Sequence, residues 1–105
     1  MAQFDVYSSP SKNTKKNFPY VVDIQNSVIS DIATRIVVPL GKLDDFKNDH
    51  MSKLTLELEF QGEKLVFLTP QIASIPSRLL KKPVGTIEHL RNEIIASLDF
   101  AITGI

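Results

Sequence analysis

Residues 54–60 read LTLELEF, and this strict alternation constrains the fold more than any other stretch of the chain. Leu54, Leu56, Leu58 and Phe60 fall on one side of an extended backbone; Thr55, Glu57 and Glu59 fall on the other, because successive side chains of a strand point to opposite faces. The pattern predicts a half-buried strand whose apolar side must be covered by another layer. Residues 61–63 (QGE) make a short turn and residues 64–69 (KLVFLT) return, giving an antiparallel hairpin.

The remaining segments fit around that hairpin. Residues 4–7 (FDVY) alternate as a first strand, and residues 20–24 (YVVDI) form a second with Asp23 near its end. Residues 8–17 (SSPSKNTKKN) between them read as a mobile surface loop with solvated lysines. Residues 26–34 combine cap-type side chains with Val28, Ile29, Ile32 and Ala33, enough for a turn or one helical turn. A third strand is predicted over residues 35–40 (RIVVPL), where Pro39 marks an edge or an end because it has no N–H for a ladder. Residues 41–53 are a polar connection, and residues 70–80 (PQIASIPSRLL) a further strand bent at Pro76 and closed by the turn chemistry of residues 81–85. Five to seven antiparallel strands followed by one helix argue a mainly β (α+β) fold.

The helix is residues 86–105 (TIEHLRNEIIASLDFAITGI), with Thr86 as N-cap and Glu88 in the first turn. At about 100° per residue, Ile87, Leu90, Ile94, Leu98 and Ala101 share the sector that packs on the sheet. Four large side chains buried there contribute about 6–12 kcal/mol of gross burial energy. Ile95, Asp99, Ile102 and Thr103 form a second face, and no basic residue occurs from position 92 to the end. Asp99 lies near the negative end of the helix dipole, where an acid is unfavourable. Two readings account for this end: a docking surface for something partly apolar that carries a cation, or a helix end covered by a homodimer interface.

Composition narrows the function. The 105 residues fit one domain, residues 1–105, and twelve basic against twelve acidic residues give zero formal net charge. A dedicated nucleic-acid binder needs an excess of Lys and Arg to neutralise phosphates. There is no cysteine, hence no disulfide, thiol nucleophile or Cys-based zinc site. No run approaches the roughly 18 apolar residues of a membrane span, and residues 1–7 lack the apolar core of a signal peptide. A cytoplasmic protein is expected. No histidine pair has metal spacing and the four glycines are not clustered, so no metal, cofactor or phosphate loop is implied.

Several blocks together carry a resemblance: Asp23-Ile24-Gln25 followed by Val28-Ile29, Arg35-Ile36-Val37-Val38-Pro39-Leu40, Ala73-Ser74-Ile75-Pro76, Arg91-Asn92-Glu93-Ile94-Ile95 and a terminal Gly104-Ile105. In order and spacing, essentially end to end, the chain resembles the CcdB toxin family. The resemblance implies an SH3-like antiparallel barrel or sheet with a small second sheet and one C-terminal helix. It implies no enzyme but a homodimeric poison that binds the DNA gyrase A subunit and traps the gyrase–cleaved DNA complex. A CcdA-like antitoxin, through a disordered C-terminal segment, would neutralise it, and the pair would repress their own operon, operator DNA being met only through that complex. The implied gyrase-binding residues are Val28, Ile29, Asp99, Ile102, Thr103, Gly104 and Ile105. Thr103 stands where the best-known member has a tryptophan, removing a flat surface for stacking on an arginine; Asp99 stands where it has an asparagine.

Two other functions are weighed. A MazF/Kid-type endoribonuclease on the same fold would need an acid/base and a cationic stabiliser beside a basic groove, with His50 or His89 and Arg35 or Arg78 as candidates. His89 falls in the first helical turn, His50 in a polar connection, Arg35 at a strand start and Arg78 just after a proline. The third reading is a non-toxic homodimeric interaction module, which explains the apolar helix end equally well.

Overall fold

In the computed structural model the longest strand, β3 (Thr34–Lys42), serves as the hub on which the rest of the sheet is hung. The structure describes residues 2–11, 16–26, 33–46 and 55–103. Among them seven strands, all paired antiparallel, precede one helix. The others are β1 (Asp5–Ser8), β2 (Tyr20–Asp23), β4 (Thr55–Phe60), β5 (Glu63–Leu68), β6 (Ala73–Pro76) and β7 (Gly85–Thr86), and the helix is α1 (Arg91–Thr103). The order across the sheet is β4-β5-β3-β2-β1-β7, with β6 branching from β3. The small second sheet expected from the sequence does not appear as a separate sheet among the described residues: β6 pairs with β3 and so belongs to the same seven-stranded sheet.

Register explains which side chains form the core. Val6, Val22 and Val38 stand opposite one another across β1, β2 and β3, and all three are fully buried. The same face continues through Leu40 and Phe67 into Leu65 and Leu58. Ile87 and Ile94 cover it. Each such side chain contributes about 1.5–3 kcal/mol of burial. From Leu56 on, the alternation predicted for residues 54–60 holds: Leu58 and Phe60 are buried, Leu56 is half-buried, and Glu57 and Glu59 are exposed. The opposite face of β1–β3 is not a solvent face. Tyr7, Val21 and Val37 pack there with Leu80 and Ile75 as a second, smaller core.

The sheet curls into a half-barrel because its two end strands meet. The Gln61 side-chain amide donates to the Val84 carbonyl at 2.8 Å. A Cβ on Gly85 would lie 2.7 Å from the Phe60 ring, so only a glycine lets β7 pass this close to the end of β4. Inside the curl, Tyr20 and Phe60 meet edge to face with centroids 5.2 Å apart.

Several boundaries differ from the sequence expectation. Pro39 marks no edge, since β3 is central. It lies between Val37, the last residue paired to β6, and Leu40, the first paired to β5. The missing N–H falls where β3 changes partners, so no ladder bond is lost. Residues 70–80 are not one bent strand but a 3-10 turn (Thr69–Gln71), then β6, then a second 3-10 turn (Ser77–Leu79). Pro70 opens the first of these turns, where its fixed φ suits helical geometry. The helix begins at Arg91, not at Thr86, because the chain up to Ile87 is still serving β1. Thr86 pairs with Asp5, and the Ile87 N–H donates to the Phe4 carbonyl at 3.0 Å. Thr86 is therefore not the N-cap: its hydroxyl accepts from the Glu88 N–H at 3.1 Å, but Ile87 occupies the cap position of the 3-10 turn Glu88–Leu90 that leads into α1.

The turn expected at residues 26–34 falls largely outside the described residues, as do residues 12–15 of the loop, 47–53 of the polar connection, and Leu54. Gly41 and Lys42 belong to β3, and Leu43–Phe46 form a 3-10 turn.

Candidate functional site

Helix α1 carries the part of the expected surface that lies within the described residues. Its buried stripe is Ile94 and Ser97, flanked by half-buried Leu90 and Leu98. Ala101, expected in that stripe, is exposed. Ser97 takes its place because it faces Thr69, and the two hydroxyls share a buried hydrogen bond of 2.7 Å. Hydrophobic periodicity alone gives no signal for a serine at a buried helix position. Beyond this anchor Asp99 is exposed and Ile102 keeps 70% of its surface in solvent. One helical turn separates them, so they share a side of the helix. Thr103 closes α1; Gly104, Ile105, Val28 and Ile29 lie outside the described residues. The last turn holds no basic side chain to offset the carbonyl end of the dipole.

The other half of the expected surface is bracketed by the corner where β2 ends and β3 begins. Asp23 and Arg35 are both fully buried and form an ion pair, Arg35 Nη2 lying 2.8 Å and Nε 2.9 Å from Asp23 Oδ2. The other carboxylate oxygen accepts from the Gln25 N–H at 3.0 Å. Gln25 is buried too; its carbonyl accepts from Arg35 Nη2 at 3.3 Å and its side-chain oxygen accepts from the Ile36 N–H at 3.1 Å. Burial lifts the Asp23 carboxyl above its ordinary range, although hydrogen bonds from Arg35 and Gln25 and the guanidinium charge pull the other way. Tyr7 nearby is raised by burial first, then by the charges of Asp5 and Asp23.

This network was half visible in the sequence. Asp23 ends β2 and Arg35 stands near the start of β3 as polar residues beside apolar ones, but their pairing, and that of Gln25 with them, depends on the β2–β3 register. It also removes Arg35 from the nuclease reading, because a fully buried, ion-paired guanidinium cannot line a substrate groove. Of that reading's other candidates, His89 and Arg78 are exposed on two different 3-10 turns, and His50 lies outside the described residues.

On the second face an apolar groove of about 230 Å³ runs between Phe18, Val21, Val37, Pro39, Ala73 and Ile75. Among the described residues no helix is long and apolar enough to cross a membrane.

Against this geometry stands one comparison. Residues 3–104 match the family model described as CcdB protein, a span that takes in the corner, the groove and the whole of α1. The chain therefore belongs to the CcdB family, the toxins of toxin–antitoxin systems.

Proposed function

We propose that the protein, as a single toxin domain, binds the DNA gyrase A subunit and traps the gyrase–cleaved DNA complex, acting by binding and not as an enzyme. It works in the cytoplasm as a homodimer. A CcdA-like antitoxin neutralises it through a disordered C-terminal segment, and the two together repress their operon. Val28, Ile29, Asp99, Ile102, Thr103, Gly104 and Ile105 make the gyrase contact.

The observation that carries this reading is the exposure of Ile102, a large apolar side chain 70% in solvent near the end of a helix that is anchored through Ile94 and Ser97. Single exposed apolar residues are common, so Ile102 gains its weight from the family match and from exposed Asp99 one turn before it. A family of gyrase poisons needs such a surface at the helix end. With Thr103 in place of an aromatic side chain, stacking on a gyrase arginine is lost, and Asp99 supplies the attraction for a cationic group instead.

Expression in cells with wild-type gyrase and in cells with a toxin-resistant gyrase tests the reading. Growth arrest in the first and not the second is expected; growth in both overturns it, as does sequence-specific RNA cleavage by the purified protein. Asp99→Ala should weaken binding to the gyrase A subunit by about 2–5 kcal/mol, the cost of truncating one partner of a desolvated ion pair. Unchanged affinity removes Asp99 from the contact.

A further inference from the structure

Apolar packing alone leaves the rotation of helix α1 about its own axis poorly specified. The helix lies against β4 and the 3-10 turn Thr69–Gln71, yet among its described side chains Ile94 is the one apolar residue that is fully buried. The half-buried apolar residues of α1 are Ile95, Leu98 and Phe100. At about 100° per residue they stand about +100°, +40° and −120° from Ile94, an arc of about 220°. A narrow apolar stripe would single out one rotation; so broad a spread does not.

One polar contact does. Ser97 Oγ and Thr69 Oγ1 lie 2.7 Å apart, and both residues are buried. The Thr69 end of the bond is fixed to the sheet. Thr69 follows β5 directly, Pro70 locks the next φ, and the Thr69 carbonyl accepts from the Ile72 N–H at 3.1 Å. The hydroxyl pair has about 0.3 Å of slack before it leaves the ordinary range of an O–H···O bond, and parting it leaves buried hydroxyls unsatisfied. Two apolar residues of the same shape would be about as stable. What the pair supplies is direction.

That direction matters two and five positions further on, where Asp99 and Ile102 are exposed. Side-chain tips stand about 5–6 Å from a helix axis, so a rotation of about 20° carries them about 2 Å, more than a specific contact tolerates.

We propose that Ser97 and Thr69 are positioning residues that hold α1 at one rotation, so that Asp99 and Ile102 meet gyrase together. The proposal rests on the gyrase reading above. Neither hydroxyl touches the partner, since both residues are buried; they act through the helix they orient.

The test uses the full-length protein. In Ser97→Ala/Thr69→Val both hydroxyls are removed together, so neither is left unpaired. Residual dipolar couplings of the α1 amides, which read the setting of the helix against the sheet, should depart from the wild-type values while those of β3 and β5 keep them. Affinity for the purified gyrase A subunit should fall about tenfold or more although the thermal midpoint stays near that of the wild type. Thr69→Ser, which keeps the hydroxyl and loses only a methyl group, should bind as the wild type does. If the double variant does not fold, Thr69→Val serves instead, read against Thr69→Ser: the first keeps the shape and loses the hydroxyl, the second the reverse. Unchanged couplings overturn the proposal, as do changed couplings with unchanged affinity, or a Thr69→Ser protein as weak as the variants without the hydroxyl. A wild-type protein that does not bind gyrase sinks the functional reading instead, and the couplings alone then decide whether the hydroxyl pair sets the helix.

Discussion

The β2–β3 corner and helix α1 bear the two halves of the proposed surface, and they are held in opposite ways. At the corner, direction comes from hydrogen bonds: a buried carboxylate and guanidinium take up the backbone of Gln25, and the buried Gln25 amide takes up the Ile36 N–H. The helix is held mainly by burial of Ile94 against the large core, with one hydroxyl pair, Ser97–Thr69, to set its rotation. Apolar packing decides that a helix sits on a sheet, but dispersion and hydration are nearly indifferent to small rotations. A short polar bond is not.

Breaking the corner from one side gives the largest expected effect. Arg35→Ala strands the Asp23 carboxylate in the interior and should destabilise the fold by about 3–5 kcal/mol in urea unfolding. A loss under about 1 kcal/mol would mean that the pair is already hydrated or neutral. The matching change in the helix, Ile94→Ala, removes a fully buried side chain and should cost about 2–5 kcal/mol by the same measurement. The two differ in where amide exchange rises, at the corner for the first and along α1 for the second.

Ser97→Ala is smaller. It leaves the Thr69 hydroxyl buried without its partner and should cost about 1–3 kcal/mol, whereas Ser97→Ala/Thr69→Val, which removes both hydroxyls, should recover most of that loss. A double-mutant cycle by chemical denaturation measures the coupling; additive losses would show that the hydroxyl pair does not tie the helix.

The smallest effect is a slope. Burial raises the Asp23 pKa, with a contribution from Asp5, against the opposing pull of Arg35 and Gln25. The folded state then holds the proton more tightly than the unfolded chain. The stability this contributes is complete below the unfolded carboxylate value of about 3.9 and is lost as pH rises through the raised folded value. Stability measured at successive pH values should decline across that window in the wild type and lose this component in Asp23→Asn. The same decline in both proteins would assign the slope to another group.

The strand pattern was legible because it is local. In LTLELEF the sorting of Leu58 and Phe60 from Glu57 and Glu59 follows from period two alone, whatever the rest of the chain does. The exposed Ile102 was legible for a similar reason, as an apolar residue beside Asp99 on a helix that lacks basic residues near its end. The start of α1 was not legible. Ile87 and Thr86 carry good helix-start chemistry, but β1 recruits both, and a ladder bond to Phe4 lies more than eighty positions away in sequence. Ser97 was missed because only the position of Thr69 makes a hydroxyl preferable there.

Local pattern along the chain is enough for the alternating antiparallel strands, the single closing helix, and the residues that mark the chain as a CcdB-type toxin. Those are properties of neighbours in the chain, set by side-chain period and backbone chemistry. Long-range packing is what seats Pro39 harmlessly in a central strand where partners change, buries both faces of β1–β3, and brings Asp23 and Arg35 together as an ion pair. Each of these depends on register between strands distant in sequence, and register is fixed by how the whole sheet packs.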